Sequence, residues 1–426
     1  MRKKSFQAVR GVKGVRDVLP EEARLWRRVE EAARDAFRRY GYGEIKTPLF
    51  ERTGLFARGI GEATDIVQKE MYTFSDRGGE SLTLRPEATA PTVRAYLEHH
   101  LHQQGGGLTR LFSIGPMFRY ERPQAGRFRQ FHQINCEAFG SEQPGLDAEI
   151  IVLTWEILAR VGLQKLSLEL NSLGDAVCRP DYEKALQDYL QKSLGDLCPD
   201  CNHRVAQNPL RVLDCKRPNC QPVLGRAPSP QKFLCEPCHA HFEKVHTLLK
   251  EAGIPYRLQP RLVRGLDYYT RTAFEITAEG LGAQNAVAGG GRYDGLVESL
   301  GGPSTPAIGF AIGIERLVSL IPESEDAREA PLIFLATQGE DADAKAFGWM
   351  KNWREQGRAV VREYEEKSLK VQMKLADRLG ATLTVIVGEE EIQGGAAKVR
   401  DMQTGKQQMV PFAKLGRTLK SLCEKG

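Results

Sequence analysis

Between Val263 and Ile276 the chain reads VRGLDYYTRTAFEI, which sets Arg264, Asp267, Tyr268, Tyr269 and Arg271 close together. Aromatic and β-branched residues in such a run read as one or two strands. Two arginines, a carboxylate and paired tyrosines on a strand need polar partners if buried. Water meets that need on a solvated sheet face, and a ligand meets it on the floor of a small-molecule pocket. The run AVAGGGRYDGL follows at 286–296 and reads as a glycine-rich loop before a helix. It matches neither G-x-x-x-x-G-K-[ST] nor a strand-anchored G-x-G-x-x-G, so it predicts close backbone approach to a flat ligand rather than a phosphate cradle.

Three further stretches carry chemistry. In RLFSIGPMFRYERPQAGRFRQFHQINCEAFG, Arg110–Gly140, two strand-like runs flank a turn at Pro123 and Gly126. The period of two puts Phe131, Gln133, Asn135 and Glu137 on one face, with Arg119 at the end of the first run. A guanidinium there can hold a phosphate bidentately, and a carboxylate can accept from an amine or a ring N–H. In LTLRPEATAPTVRAYLEHH, Leu82–His100, a helix should start near Glu87–Thr89, where Glu87 serves either as a capping carboxylate or as a seat for a ligand ammonium. In AIGFAIGIERLVSLI, Ala307–Ile321, a strand turns into a helix at Glu315 and Arg316. An arginine at that turn suits an anion or a structural ion pair.

Positioning these groups requires several elements. Over 426 residues, two or three domains are expected. Hydrophobic content of 41% and charged content of 27% describe an ordinary globular protein, and a net charge of +5 permits a basic face without demanding one. No apolar run reaches the length of a membrane span, and the basic start MRKKSFQAVRGVKGVRD has no apolar stretch behind it. The nine cysteines suit reduced thiols, so no membrane and a cytoplasmic location are expected. Helical spacing covers 21–40, with Gly41 as its stop, and 147–162. Strand signals dominate 66–140. A small insertion occupies about 171–250, SEDAREAPLI forms a hinge, and strands at PLIFLAT, RAVVREY and TLTVIVG alternate with two helices in a compact C-terminal α/β unit.

Together these motifs resemble the class II aminoacyl-tRNA synthetases, and RGLDYYTRTAFE and TLRPEATAP resemble the narrower signatures of histidyl-tRNA synthetase. Helix 21–40 with IKTPLFE is similar to the first class motif, FRYERPQAGRFRQF to the second and AIGFAIGIERL to the third. Ala88 departs from the glycine usual in the family, a small change that should leave the pocket intact. The resemblance implies an α+β catalytic domain over 1–325, an antiparallel sheet flanked by helices, with the insertion, and an anticodon-binding α/β domain over 331–426. It implies a homodimer, and ligation of L-histidine to tRNA(His) through histidyl-adenylate, with ATP and Mg²⁺. Arg264 and Arg119 would be catalytic, and with Arg316 they would bind ATP. Glu87, Ala88, Thr89, Gln133, Glu137, Tyr268 and Tyr269 would hold histidine; Arg122, Gln124 and Arg129, with Arg127 in the same loop, would meet the tRNA acceptor end. On an ideal strand Arg264 and Tyr269 have opposite parity, so both reach one pocket only if Gly265 or a bulge breaks the alternation. The alternative is a non-catalytic paralogue that binds histidine to regulate its biosynthesis. Such proteins typically lack the C-terminal unit that this chain keeps.

Cys198 and Cys201 form one C-x₂-C, and Cys235 and Cys238 form a second. Such pairs are the pattern of a structural zinc site, but 33 residues separate them and Cys215 and Cys220 lie between. The expectation is therefore no metal, with reduced cysteines packed in a small domain and structural zinc as the alternative.

Overall fold

The helix expected at 21–40 forms over Pro20–Arg39 in the computed structural model, which describes residues 9–62, 64–104, 107–122, 126–280, 285–321 and 331–423. Pro20 opens it, where a missing N–H costs nothing. Gly41, at φ 74°, ends it: its N–H donates to Arg38 O at 3.3 Å and that of Tyr42 to Phe37 O at 2.9 Å, the paired bonds of a glycine-stopped helix. Trp26, Val29, Ala33, Ala36 and Phe37 make its buried stripe, and Phe37 stacks on Phe112 at 4.2 Å.

The chain divides into two compact units, residues 1–322 and 323–426. An eight-stranded sheet organises the first. Its spatial order is Gly43–Glu44, Thr109–Phe118, Gln130–Phe139, Ala307–Gly313, Ala286–Arg292, Thr270–Ala278, Leu166–Ser172 and Tyr256–Leu258. The six central strands pair antiparallel, and each edge strand pairs parallel. Helices Pro20–Arg39, Pro144–Arg160 and Glu236–Glu251 share one apolar core with the sheet. A fully buried ion pair pins this layer. Arg292 donates from Nε to Asp147 Oδ1 at 2.9 Å, and His241 Nε2 meets Asp147 Oδ2 at 2.8 Å.

Two expectations are corrected here. The Val263–Ile276 run is a loop through Tyr269, and its strand begins only at Thr270. Carbonyls of this loop go to side chains instead of a ladder: Arg211 donates to Arg264 O at 3.2 Å and Arg179 to Tyr269 O, while Asn171 Nδ2 holds Leu262 O, just before the run, at 2.9 Å. The parity difficulty therefore vanishes, because Arg264 and Tyr269 are not on a strand; a register shift opposite Arg271 (φ 45°) marks where pairing starts. Conversely, Ala286–Arg292 is a central strand, not a loop. Its glycines suit the sheet because a Cβ on Gly289 would overlap the Arg264 guanidinium, and one on Gly290 would meet Phe310 and Phe274.

In the second unit the expected alternation forms as parallel strands Leu332–Thr337, Ala359–Arg362 and Leu383–Val387, with helices Glu340–Glu355 and Leu369–Arg378. Antiparallel strands Ala396–Asp401 and Gln407–Pro411 extend this sheet. The hinge expected at SEDAREAPLI falls largely on 324–330, outside the described residues.

Candidate active site

All five stretches singled out by sequence converge on one cavity of about 440 Å³ in the first unit. Strand Gln130–Phe139 turns Phe131, Gln133, Asn135 and Glu137 into it, as the period of two predicts. The loop before Thr270 supplies Arg264, Tyr268 and Tyr269; the start of helix Thr89–Glu98 supplies Glu87 and Thr89; and helix Ile314–Val318 supplies Arg316.

One end is acidic and aromatic. Glu87 caps its helix, accepting from Thr89 N at 2.7 Å and Ala90 N at 3.0 Å, while burial pushes its carboxyl up against those amides. Thr89 Oγ1 donates to Glu137 Oε1 at 2.7 Å, and the Tyr293 hydroxyl donates to Oε2. Glu137 is buried, and a Cβ on Gly309 would strike its carboxylate, so that glycine makes the space. Burial pushes Glu137 up to about 8, opposed by the Tyr293 and Thr89 hydroxyls and reinforced by Glu87. Burial also keeps the Tyr268, Tyr269 and Tyr293 phenols protonated.

The other end is basic. Arg264 Nη1 meets Glu275 Oε2 at 2.6 Å; burial works against its charge, and Glu275 more than restores it. Arg119 donates from Nε to Pro86 O at 2.8 Å and lies over Phe131, 5.2 Å from the ring centre. Arg316 gives Nη1 to Ala286 O at 2.9 Å, and among the described residues no carboxylate pairs with it within 4.0 Å. Burial and the charges of Arg127 and Arg119 lower its pKa. So the structural ion pair open to Arg316 by sequence is absent, and three arginines face a space suited to an anion.

Polar atoms without partners point the same way. Gln133 Oε1, Asn135 Nδ2 and Arg264 Nε are buried, line or border this cavity, and among the described residues have no protein hydrogen bond. Orphans of this kind in one pocket are what a polar ligand would satisfy.

Comparison with known proteins decides the family. The description "Histidyl-tRNA synthetase" matches residues 14–317, and "Anticodon binding domain" matches 332–422. The chain belongs to the histidyl-tRNA synthetase family. It is 50% identical over 407 residues to the histidine–tRNA ligase of Desulforamulus reducens, covering 95% of this chain and 97% of that one. It is 50% identical over 416 residues to the ligase of Pelotomaculum thermopropionicum, covering 97% of each. The apo crystal structure of S. aureus histidyl-tRNA synthetase superposes with a TM-score of 0.82 at 37% identity, over 97% of this chain and all (100%) of that one. The fold is therefore a class II synthetase catalytic domain followed by an anticodon-binding α/β domain.

Not every residue expected at a histidyl-tRNA synthetase site lines the cavity. Ala88 is buried at the helix start with φ −107°, a conformation any residue adopts, so the departure from glycine costs no strain. Arg127 lines the cavity and pairs with Glu121 at 3.2 Å. Arg129 instead lies over Tyr120 at 3.8 Å, with Nε toward Glu121 O at 3.4 Å. Arg122 is exposed, and Gln124 and Pro123 lie outside the described residues. The cavity residues that escaped the sequence reading include Glu121, Glu275 and Tyr293. Tyr293 sits inside the quoted glycine run and was overshadowed by it; Glu275 is one strand residue among others until the fold pairs it with Arg264.

The cysteine grouping is also corrected. The two C-x₂-C pairs do not meet. Cys198 and Cys201 gather with Cys215 and Cys220, whereas Cys235 and Cys238 gather with Cys178 and Asp175. The intervening cysteines are the missing half of the first set, which the 33-residue gap concealed.

Proposed function

We infer that the chain ligates histidine to tRNA(His) in two steps driven by ATP. A histidine carboxylate oxygen attacks the α-phosphorus, the α–β phosphoanhydride breaks, and pyrophosphate leaves. A terminal ribose hydroxyl of the tRNA then attacks the acyl carbon, gives up its proton, and AMP departs. The full-length relatives named as histidine–tRNA ligases support this reading over a histidine-binding regulator, and so does the complete C-terminal unit.

The polarity of the cavity carries the assignment of its residues. At the acidic end, Glu137 and Tyr269 would read the imidazole, which offers one donor and one acceptor when neutral. Glu87, Thr89 and Gln133, with Tyr268 alongside and Ala88 shaping the helix start, would fix the α-amino group. Such polar readout rejects amino acids lacking a ring N–H, because their binding leaves buried groups unpaired. At the basic end, Arg264 and Arg119 would neutralise charge growing on the α-phosphate, and Arg316 would hold the distal phosphate. Phe131, under Arg119, offers a flat apolar surface to the purine. Phosphoryl transfer demands positioning and charge, so no side-chain nucleophile is needed. ATP enters as its Mg²⁺ complex, for which Glu121 and Glu275 are the cavity carboxylates whose present partners are arginines.

The exposed Arg122, with Arg127, Arg129 and Gln124 in the same loop, would meet the acceptor end, and the second unit would read the anticodon. The working form is a homodimer in the cytoplasm; exposed Leu49, Phe50 and Phe74 offer apolar surface for pairing, which light scattering checks. Among the described residues no helix is long and apolar enough to cross a membrane.

The deciding experiment is exchange of labelled pyrophosphate into ATP for wild type beside Arg264→Ala. Exchange with histidine alone among the amino acids, lost in the variant, is expected. No exchange in folded, histidine-binding wild type would overturn the enzymatic reading and leave the regulator.

A further inference from the structure

The two cysteine knots of the insertion lie outside the catalytic cavity and play no part in the ligation chemistry. In the first, the Sγ atoms of Cys198, Cys201, Cys215 and Cys220 all lie within 4.8 Å of one another. Cys198 and Cys215 are 4.0 Å apart, as are Cys201 and Cys220. Zinc–thiolate bonds of ~2.3 Å in a tetrahedron put sulfur atoms ~3.8 Å apart. In the second, Asp175 offers Oδ1, 3.6 Å from Cys178 Sγ and 3.9 Å from Cys235 Sγ, with Cys238 completing a set again within 4.8 Å. A tetrahedron with one oxygen at ~2.0 Å needs about 3.5 Å along its oxygen–sulfur edges. These distances lie within a few tenths of an ångström of those tetrahedral edges.

We propose that the insertion holds two structural zinc ions, one in a Cys198–Cys201–Cys215–Cys220 site and one in an Asp175–Cys178–Cys235–Cys238 site.

Packing alone does not explain the arrangement. Seven of the nine cysteines, four in one knot and three in the other, fall in these two places. A core needing small apolar filling has no reason to bring thiols together in fours. The seven cysteines of the two sets form no disulfides, and in the first set the Cys198–Cys215 and Cys201–Cys220 sulfurs, each 4.0 Å apart, are well beyond bonding distance. The surroundings suit thiolates. Cys178, Cys198 and Cys235 each stand at the N-cap of a helix, and the Cys198 N–H donates to Cys220 Sγ at 3.2 Å. The segment between residues 209 and 220 has only two short 3-10 stretches, Pro209–Asp214 and Pro218–Cys220, and no α-helix or strand to fix it. Small irregular modules of this kind are commonly stapled by metal.

The knots also border the catalytic loop. Asp175 Oδ2 faces Arg271 at 3.4 Å, and Arg179, next to Cys178, donates to Tyr269 O. Cys215 lies between Asp214 and Lys216, which line the cavity, and Arg211 holds Arg264 O at 3.2 Å. Zinc would thus hold fixed the segments that carry Arg264 and Tyr269.

The test is metal content of full-length protein purified under reducing conditions and passed over a chelator, by plasma mass spectrometry. Two zinc per chain are expected, falling to one in Cys201→Ser and in Cys238→Ser. Wild type supplies a check that needs no folded variant: mercurial titration of the thiols should release both equivalents of zinc. Cobalt substitution should give the intense visible bands of tetrahedral thiolate coordination. Metal-free protein with nine titratable thiols would overturn the proposal, as would iron in place of zinc, or disulfides seen as a mass loss without reductant.

Discussion

Arg264 lies across Gly289, its guanidinium filling the space a Cβ there would need, while its Nη1 holds Glu275 at 2.6 Å. The strand pairing that sets Gly289 opposite Glu275 therefore also sets the cation. Gly289→Ala leaves a backbone that alanine tolerates, and the atoms it meets are the end of a flexible side chain. The fold should survive and Arg264 should move. Pyrophosphate exchange is expected to fall by about 10²-fold, the usual cost of an ångström-scale misplacement, with thermal stability near wild type. Exchange within twofold of wild type would remove Arg264 from the reacting centre.

Burial holds Glu137 protonated up to about 8, above its ordinary 4.5. A raised folded pKa means the folded chain keeps a proton that the unfolded chain releases. That contribution is complete below the ordinary carboxyl value and is lost as pH rises through about 8. The ligand-free Tm of wild type should therefore decline relative to Glu137→Gln between mildly acid and mildly alkaline pH, at roughly 2–4 °C per kcal/mol. A pH-independent gap in Tm would contradict this. Histidine, by offering a ring N–H, should favour the ionised carboxylate, so calorimetry near neutral pH should detect proton release on binding.

Much of this site was legible because its groups lie on regular elements. Phe131, Gln133, Asn135 and Glu137 share a face by the period of two, and Gly41 marks its helix end by a conformation few other residues accept. What the sequence hid was set by distant partners. A glycine run reads as a loop until Arg264, Phe274 and Phe310 are seen to occupy the missing side-chain space. An aromatic run reads as a strand until Arg179 and Arg211 take its carbonyls. The C-x₂-C spacing showed that pairs existed, but their partners, Cys215 and Cys220 for one and Asp175 and Cys178 for the other, were fixed by the folded insertion.

Asp147 binds Arg292 and His241 where no water reaches either Asp147 or Arg292. Burial opposes its ionisation, but the His241 hydrogen bond and Arg292 hold its pKa below the ordinary value. Its contribution is therefore present at neutral pH and lost as pH falls through that depressed value. Asp147→Ala would leave the buried Arg292 with Asp294, at 3.1 Å, as its remaining carboxylate partner, at a cost of about 3 kcal/mol. Denaturant unfolding at neutral pH should register a loss of that order, and a change below about 1 kcal/mol would mean that Asp294 alone satisfies Arg292 in the variant.

The last prediction separates the two steps of the reaction. Within the 119–129 loop, Arg119 and Arg127 line the cavity and Arg129 lies over Tyr120, whereas Arg122 is exposed. A guanidinium outside the cavity has no part in forming adenylate but is available to a phosphate of the acceptor end. Arg122→Glu should leave histidine-dependent pyrophosphate exchange unchanged and raise the KM for tRNA about tenfold, some 1.4 kcal/mol. The slope of tRNA affinity against log salt should also shrink by about one contact. Equal loss in exchange and in charging would mean Arg122 supports the cavity itself. No loss in either would move the acceptor end to another part of this loop.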